Sequence, residues 1–124
     1  MQESKDLQTG TSVNLTELLA RVDNDRELLR DLLSIFADEF PRHLLVLQEA
    51  VAREDAKEVA TVSHTLKGML SNLAVTKAAA SAGQLEQQAR AGNQSSLRQA
   101  FAAFEHDVQG LLPEMETYMA EAHP

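Results

Sequence analysis

One spacing dominates residues 28–51: Leu28, Leu29, Leu32, Leu33, Ile35, Phe36, Phe40, Leu44, Leu47 and Val51 recur three and four apart. Each residue of an α-helix advances about 100° around the axis, so this spacing draws one apolar stripe along a long helix. A stripe of that length is buried only against other helices, which limits the fold to a helical assembly. Pro41 lies inside the pattern. It removes one intrahelical hydrogen bond and crowds the turn before it. The apolar phase is the same on both sides, so the pattern predicts one kinked helix.

The flanks carry the same signal. In NLTELLARV, Asn14 is a helix cap and Glu17 stands three residues later, as in a capping box. Asp23-Asn24-Asp25 ends that short helix and offers the next cap. Glu54-Asp55 leads into a third helix, about Ala56 to Leu73, and Ala74-Val75 opens a fourth, about Thr76 to Ala91. Gly92 stops it, and Asn93 or Ser95 starts a fifth, marked by Leu97, Phe101, Phe104, Val108, Leu111, Leu112 and Met115, with Pro113 bending or ending it. There is no strand signal and no internal repeat. The expected fold is all-α: an antiparallel four-helix bundle with an additional short N-terminal helix. Residues 1–12, polar and without periodicity, are expected to be a disordered lead or linker, residues 13–120 the bundle domain, and 121–124 a flexible tail.

Composition narrows the function. A net charge of -8 argues against nucleic acid and against an anionic membrane surface, both of which need a basic face. No apolar run approaches the roughly 18 residues of a membrane span. The start MQESKDLQTGTS has neither the basic nor the apolar region of a signal peptide. The absence of cysteine excludes disulfides, thiolate metal sites and cysteine nucleophiles. A cytoplasmic setting is expected.

The third helix carries SHTLKGMLSNLA, Ser63 to Ala74. With His64 at zero on a helical wheel, Lys67 and Gly68 fall within about 60° on either side, and Ser71 falls almost on the same line. Val59, Val62, Leu66, Met69, Leu70 and Leu73 occupy the opposite half. The histidine therefore faces water. Gly68 costs roughly 1 kcal/mol in a helix interior, and a merely solvated face gains nothing from it. Close approach by another molecule does. No histidine pair has the spacing of a helical metal site, and no Glu-x-x-His motif occurs.

The run His64-Thr65-Leu66-Lys67-Gly68 in an all-helical chain resembles the histidine-containing phosphotransfer (HPt) domains of multistep phosphorelays. The resemblance extends from about Asn14 to Tyr118. It includes LLRDLLSIFADEFPRHLLVLQEAV, similar to that family's long second helix, and GQLEQQAR, similar to the helix beside its active histidine. It implies that His64 accepts the phosphoryl group, that Lys67 sits by the phosphoryl oxygens, and that Gly68 clears room for a partner. It also implies that Glu86 hydrogen-bonds the imidazole and that Arg90 adds positive charge. Position 74, commonly glycine in the family, is Ala74.

The resemblance further implies a carrier without its own ATP site or cofactor. Mg²⁺ and the reacting aspartate come from a partner receiver domain. The partners are response-regulator receivers and a hybrid sensor histidine kinase, of which this chain is either a piece or a separate partner. Leu15, Leu18, Leu19 and Ser71 are candidate partner contacts, and a monomer is expected. The alternative from another class is a non-phosphorylated helical adaptor or inhibitor that docks on a kinase or receiver through the same surface. A general acid/base enzyme using His64 with Glu86 is disfavoured, because the histidine face is convex and polar.

Overall fold

A computed structural model describes residues 14–122. The expected disordered lead, residues 1–12, lies outside them, as do residues 123 and 124 of the tail. Every regular element among the described residues is a helix: α1 (Leu15–Arg21), α2 (Arg26–Ala52), α3 (Ala56–Asn72), α4 (Thr76–Ala91), α5 (Gln94–Val108) and α6 (Leu111–Ala122).

The N-terminal caps follow the sequence signals. Asn14, Asp25, Asp55 and Asn93 each accept a hydrogen bond from the backbone N–H three residues on. Each satisfies one of the donors that a helix start leaves unpaired. α2 runs unbroken through Pro41. Phe36 and Phe40 before the proline and Leu47, Ala50 and Val51 after it are buried. Burial on both sides outweighs the one hydrogen bond that the proline removes.

The C-terminal stops are less regular. α1, α2 and α3 end on residues with left-handed backbone that are not glycine: Asp23 (φ 56°), Glu54 (φ 60°) and Ala74 (φ 58°). At the end of α3 the Ala74 N–H donates to Ser71 O (3.0 Å) and the Val75 N–H to Leu70 O (2.9 Å). That pair of bonds is a Schellman cap with alanine in the glycine place. Leu73, Ala74 and Val75 are all buried, which holds the turn in this shape. Ala74→Gly is therefore expected to stay within about 1 kcal/mol of the parent, since relief of left-handed strain and loss of a buried methyl oppose each other. Ala74→Val is expected to cost about 2 kcal/mol, because a branched side chain suits neither the backbone nor the space. Thermal unfolding of the two variants checks this ordering.

The expected fifth helix is two. Gln109 and Gly110 break it, with Gly110 at φ 84°, and α6 starts at Leu111. Pro113 falls in the first turn of α6, where its missing N–H is no loss. The periodicity concealed this break because Phe104, Val108, Leu111 and Met115 stay in phase across it, and all four are buried.

α3 packs along α4, α4 against α5, and α2 against both α3 and α6, with α1 on α2. The core takes Leu29, Leu33 and Phe40 from α2, Leu66 and Leu70 from α3, and Leu97, Phe104 and Met115 from α5 and α6, each almost wholly buried. α4 contributes mainly alanines: Ala78, Ala79, Ala82 and Ala89. Small side chains let its backbone come close to α3, which sets the spacing of the histidine face. The buried carboxylate of α5, Asp107, accepts from the Ser81 hydroxyl of α4 and has Lys77 Nζ at 4.0 Å.

Candidate functional site

His64 sits two turns into α3, on the side away from the core. Val59, Val62, Leu66, Leu70 and Leu73 are buried, and the His64 side chain is 66% exposed. The same wheel turns the imidazole toward α4, where Glu86 is 8% exposed in the seam between the helices. His64 Nδ1 lies 3.3 Å from each Glu86 carboxylate oxygen. With the proton on Nδ1 the ring donates to the carboxylate, and Nε2 keeps its lone pair on the outward edge.

Two cations hold the same carboxylate. Arg90, one turn along α4, donates to Glu86 Oε2 from Nη2 (2.7 Å) and from Nε (3.2 Å). Lys67 Nζ stands 3.4 Å from Glu86 Oε1. The sequence-predicted His64, Lys67, Glu86 and Arg90 are thus brought into one cluster. Arg90 is the largest influence holding the Glu86 carboxyl below its ordinary value of 4.5, with His64 and Lys67 adding to it and burial opposing.

A carboxyl lowered by folding contributes stability that is full above 4.5 and is lost as pH falls through its lowered folded value. The stability gap between the parent and Glu86→Gln is expected to shrink on acidification through that window. Denaturant titrations of both proteins across the acid range measure it.

Gly68 is exposed on α3, and a Cβ placed there meets nothing within 4 Å. Ser71 is exposed on the next turn of the same line. Its carbonyl and that of Asn72 accept from Arg21 Nη1 (3.1 and 3.2 Å), which ties α1 to the C-terminal end of α3. Two of the three leucines of α1 are described and pack inward. Leu18 is 2% exposed and belongs to the core, and Leu19 packs partly buried against it. The Leu15 side chain lies outside the described part.

The exposed apolar surface lies on α2 instead. Leu28, Leu32 and Ile35 are 43%, 37% and 60% exposed. Leu32, Ile35 and Phe36 face Thr65 and Met69 of α3 across a groove of about 330 Å³. The sequence held the signal: Leu28-Leu29, Leu32-Leu33 and Ile35-Phe36 make an apolar arc too wide for one buried stripe. Gly83 was also missed. A Cβ there would stand 3.3 Å from Lys67 Cδ, so the glycine leaves the lane in which the lysine stem crosses α4. Its spacing from Glu86 and Arg90, three and then four, places all three on one line.

Among the described residues no group of three or more His, Asp or Glu side chains could hold a metal ion, and no helix is long and apolar enough to cross a membrane.

A family model of the Hpt domain matches residues 31–121, which take in α3, α4 and the whole cluster. The chain belongs to the Hpt domain family. Hpt domains are phosphocarriers of phosphorelays rather than enzymes with an ATP site, and that class of activity applies to this Hpt domain. Comparisons with curated proteins and with solved structures give no match.

Proposed function

We propose that this Hpt domain accepts a phosphoryl group from a receiver aspartate onto Nε2 of His64 and passes it to another receiver aspartate. The observation that carries the reading is the Glu86 carboxylate 3.3 Å from His64 Nδ1, behind a ring that is 66% exposed. Nε2 attacks phosphorus, the aspartate oxygen leaves with its electron pair, and Glu86 faces the positive charge that gathers on the ring. Phosphoryl transfer needs positioning and charge compensation more than covalent help. Lys67 is within a side-chain swing of the incoming oxygens, and the receiver supplies Mg²⁺.

The helices are read as an antiparallel four-helix bundle, with α5 and α6 together in the fourth place and α1 as the additional N-terminal helix. The domain spans about residues 13–120 and works as a monomer in the cytoplasm. The receiver rests on the Gly68–Ser71 line and covers Leu32 and Ile35 of α2. Gly68 serves that approach. Gly68→Ala is therefore expected to stabilise the fold by about 0.5–1 kcal/mol while leaving the helix intact. Gly68→Gln is expected to slow receiver transfer by about a hundredfold at unchanged stability. Destabilisation by alanine would instead give Gly68 a role in the fold.

The test is a receiver domain loaded with labelled phosphate and mixed with this protein. Acid-labile label on the protein supports the reading. Binding to receivers without any transfer supports the adaptor in its place.

A further inference from the structure

A carboxylate offers about four lone-pair sites. On Glu86 they are fully used: two by Arg90 on Oε2, one by Lys67 on Oε1, and one by the His64 ring, which is equidistant from both oxygens. The three donors are not equivalent. Lys67 makes one contact at 3.4 Å from a flexible stem, and His64 is the reacting group. Arg90 donates from two nitrogens, at 2.7 and 3.2 Å, both to one oxygen. Its guanidinium is the firmest of the three holds on the rotation of the Glu86 carboxylate.

We propose that Arg90 is a positioning residue: it acts on His64 only through Glu86, by fixing the carboxylate that holds the Nδ1 proton and so frees Nε2. This differs from a direct role for Arg90 at the phosphoryl oxygens or against a partner. That competing role has a physical basis, since the Arg90 side chain is 64% exposed and lines an open cleft with Lys57, Ala60 and Thr61. The geometry favours the indirect role, because the nearest and best-aligned acceptor of the guanidinium already sits under the histidine. Lys67 cannot replace it. Once Lys67 turns to a phosphoryl group, Arg90 is the one cation left on Glu86 among those that touch it. The consequence for transfer rests on the reading of His64 as phosphoacceptor, whereas the consequence for the resting ring does not.

Two readouts separate the possibilities. The first is ¹⁵N NMR of the His64 ring in the protein alone. The parent is expected to show a protonated Nδ1 and a lone-pair Nε2. Arg90→Ala is expected to give a mixture of tautomers, and Arg90→Lys to restore most of the parent signature. The second is transfer from a phosphorylated receiver in a double-mutant cycle. Arg90→Ala is expected to slow transfer about tenfold in the parent. In a Glu86→Ala background the same change is expected to alter the rate by less than about twofold. An unchanged ring signature in Arg90→Ala overturns the proposal, as does a tenfold loss that persists without Glu86. If the parent takes no label from any receiver, the phosphotransfer reading falls, and the ring signature still decides the role of Arg90.

Discussion

In a His64→Gln variant, phosphoryl acceptance is expected to fall below detection while the helices and their melting stay close to the parent. No other residue of the cluster replaces the nucleophile. Lys67 is a cation with no lone pair to offer, Arg90 is permanently protonated, and Glu86 lies in the seam at 8% exposure. That carboxylate also stays paired with Arg90 and Lys67 in the variant. Stability is expected to change little, because an exposed ring leaves no cavity and glutamine suits a helix. The released Glu86 contact is offset by Arg90 and Lys67, which remain on the carboxylate. Receiver-loaded label followed on gels, with circular dichroism on the same samples, measures both halves. Residual acid-labile label in the variant would move the acceptor elsewhere.

The largest effect on stability is expected at Phe40, far from the chemistry. Phe40 is 1% exposed and stacks on Phe36 with ring centroids 4.8 Å apart and planes 19° from parallel. Phe40→Ala removes the buried ring and leaves a cavity next to a helix that already lacks one hydrogen bond at Pro41. Such a truncation costs about 3–5 kcal/mol, and domains of this size have only about 5–15 kcal/mol in all. The stacked pair adds about 1 kcal/mol beyond area burial. Urea unfolding is expected to show the midpoint falling steeply with little change of slope. A loss below about 1 kcal/mol would mean that the surrounding side chains collapse into the space. α3 packs on α2, so histidine chemistry in this variant is expected to fail through unfolding rather than through the site.

The fold was legible where a local rule acts alone. The 3.6-residue period placed the buried face of α3 and turned His64 outward, and four capping side chains marked four helix starts. The stops were harder. Asp23, Glu54 and Ala74 take a conformation that glycine advertises and they do not, because hydrogen bonds impose it and, at Ala74, buried neighbours as well. The break at Gly110 was hidden by apolar residues that keep phase across it.

The site divides the same way. Glu86 and Arg90 are an i,i+4 pair, readable in one helix. Their meeting with His64 and Lys67 depends on how closely α3 and α4 approach. That distance is set by α4's alanines and by Gly83, across two helices. The buried Asp107 with Ser81 and Lys77 was invisible for the same reason, since a lone aspartate on a helix reads as solvated until its partners on α4 are known. The wide apolar arc on α2 was in the sequence, but its period was credited wholly to the core.

The central claim concerns one nitrogen. The protein, labelled with ¹⁵N in its histidines, is to be phosphorylated by a loaded receiver and studied by ³¹P and ¹⁵N NMR. Phosphorus coupled to Nε2 of His64, with Nδ1 still carrying its proton toward Glu86, is the predicted result. Phosphorus on Nδ1 would contradict the account, because that nitrogen faces the carboxylate, and so would acid-stable phosphate on any other residue.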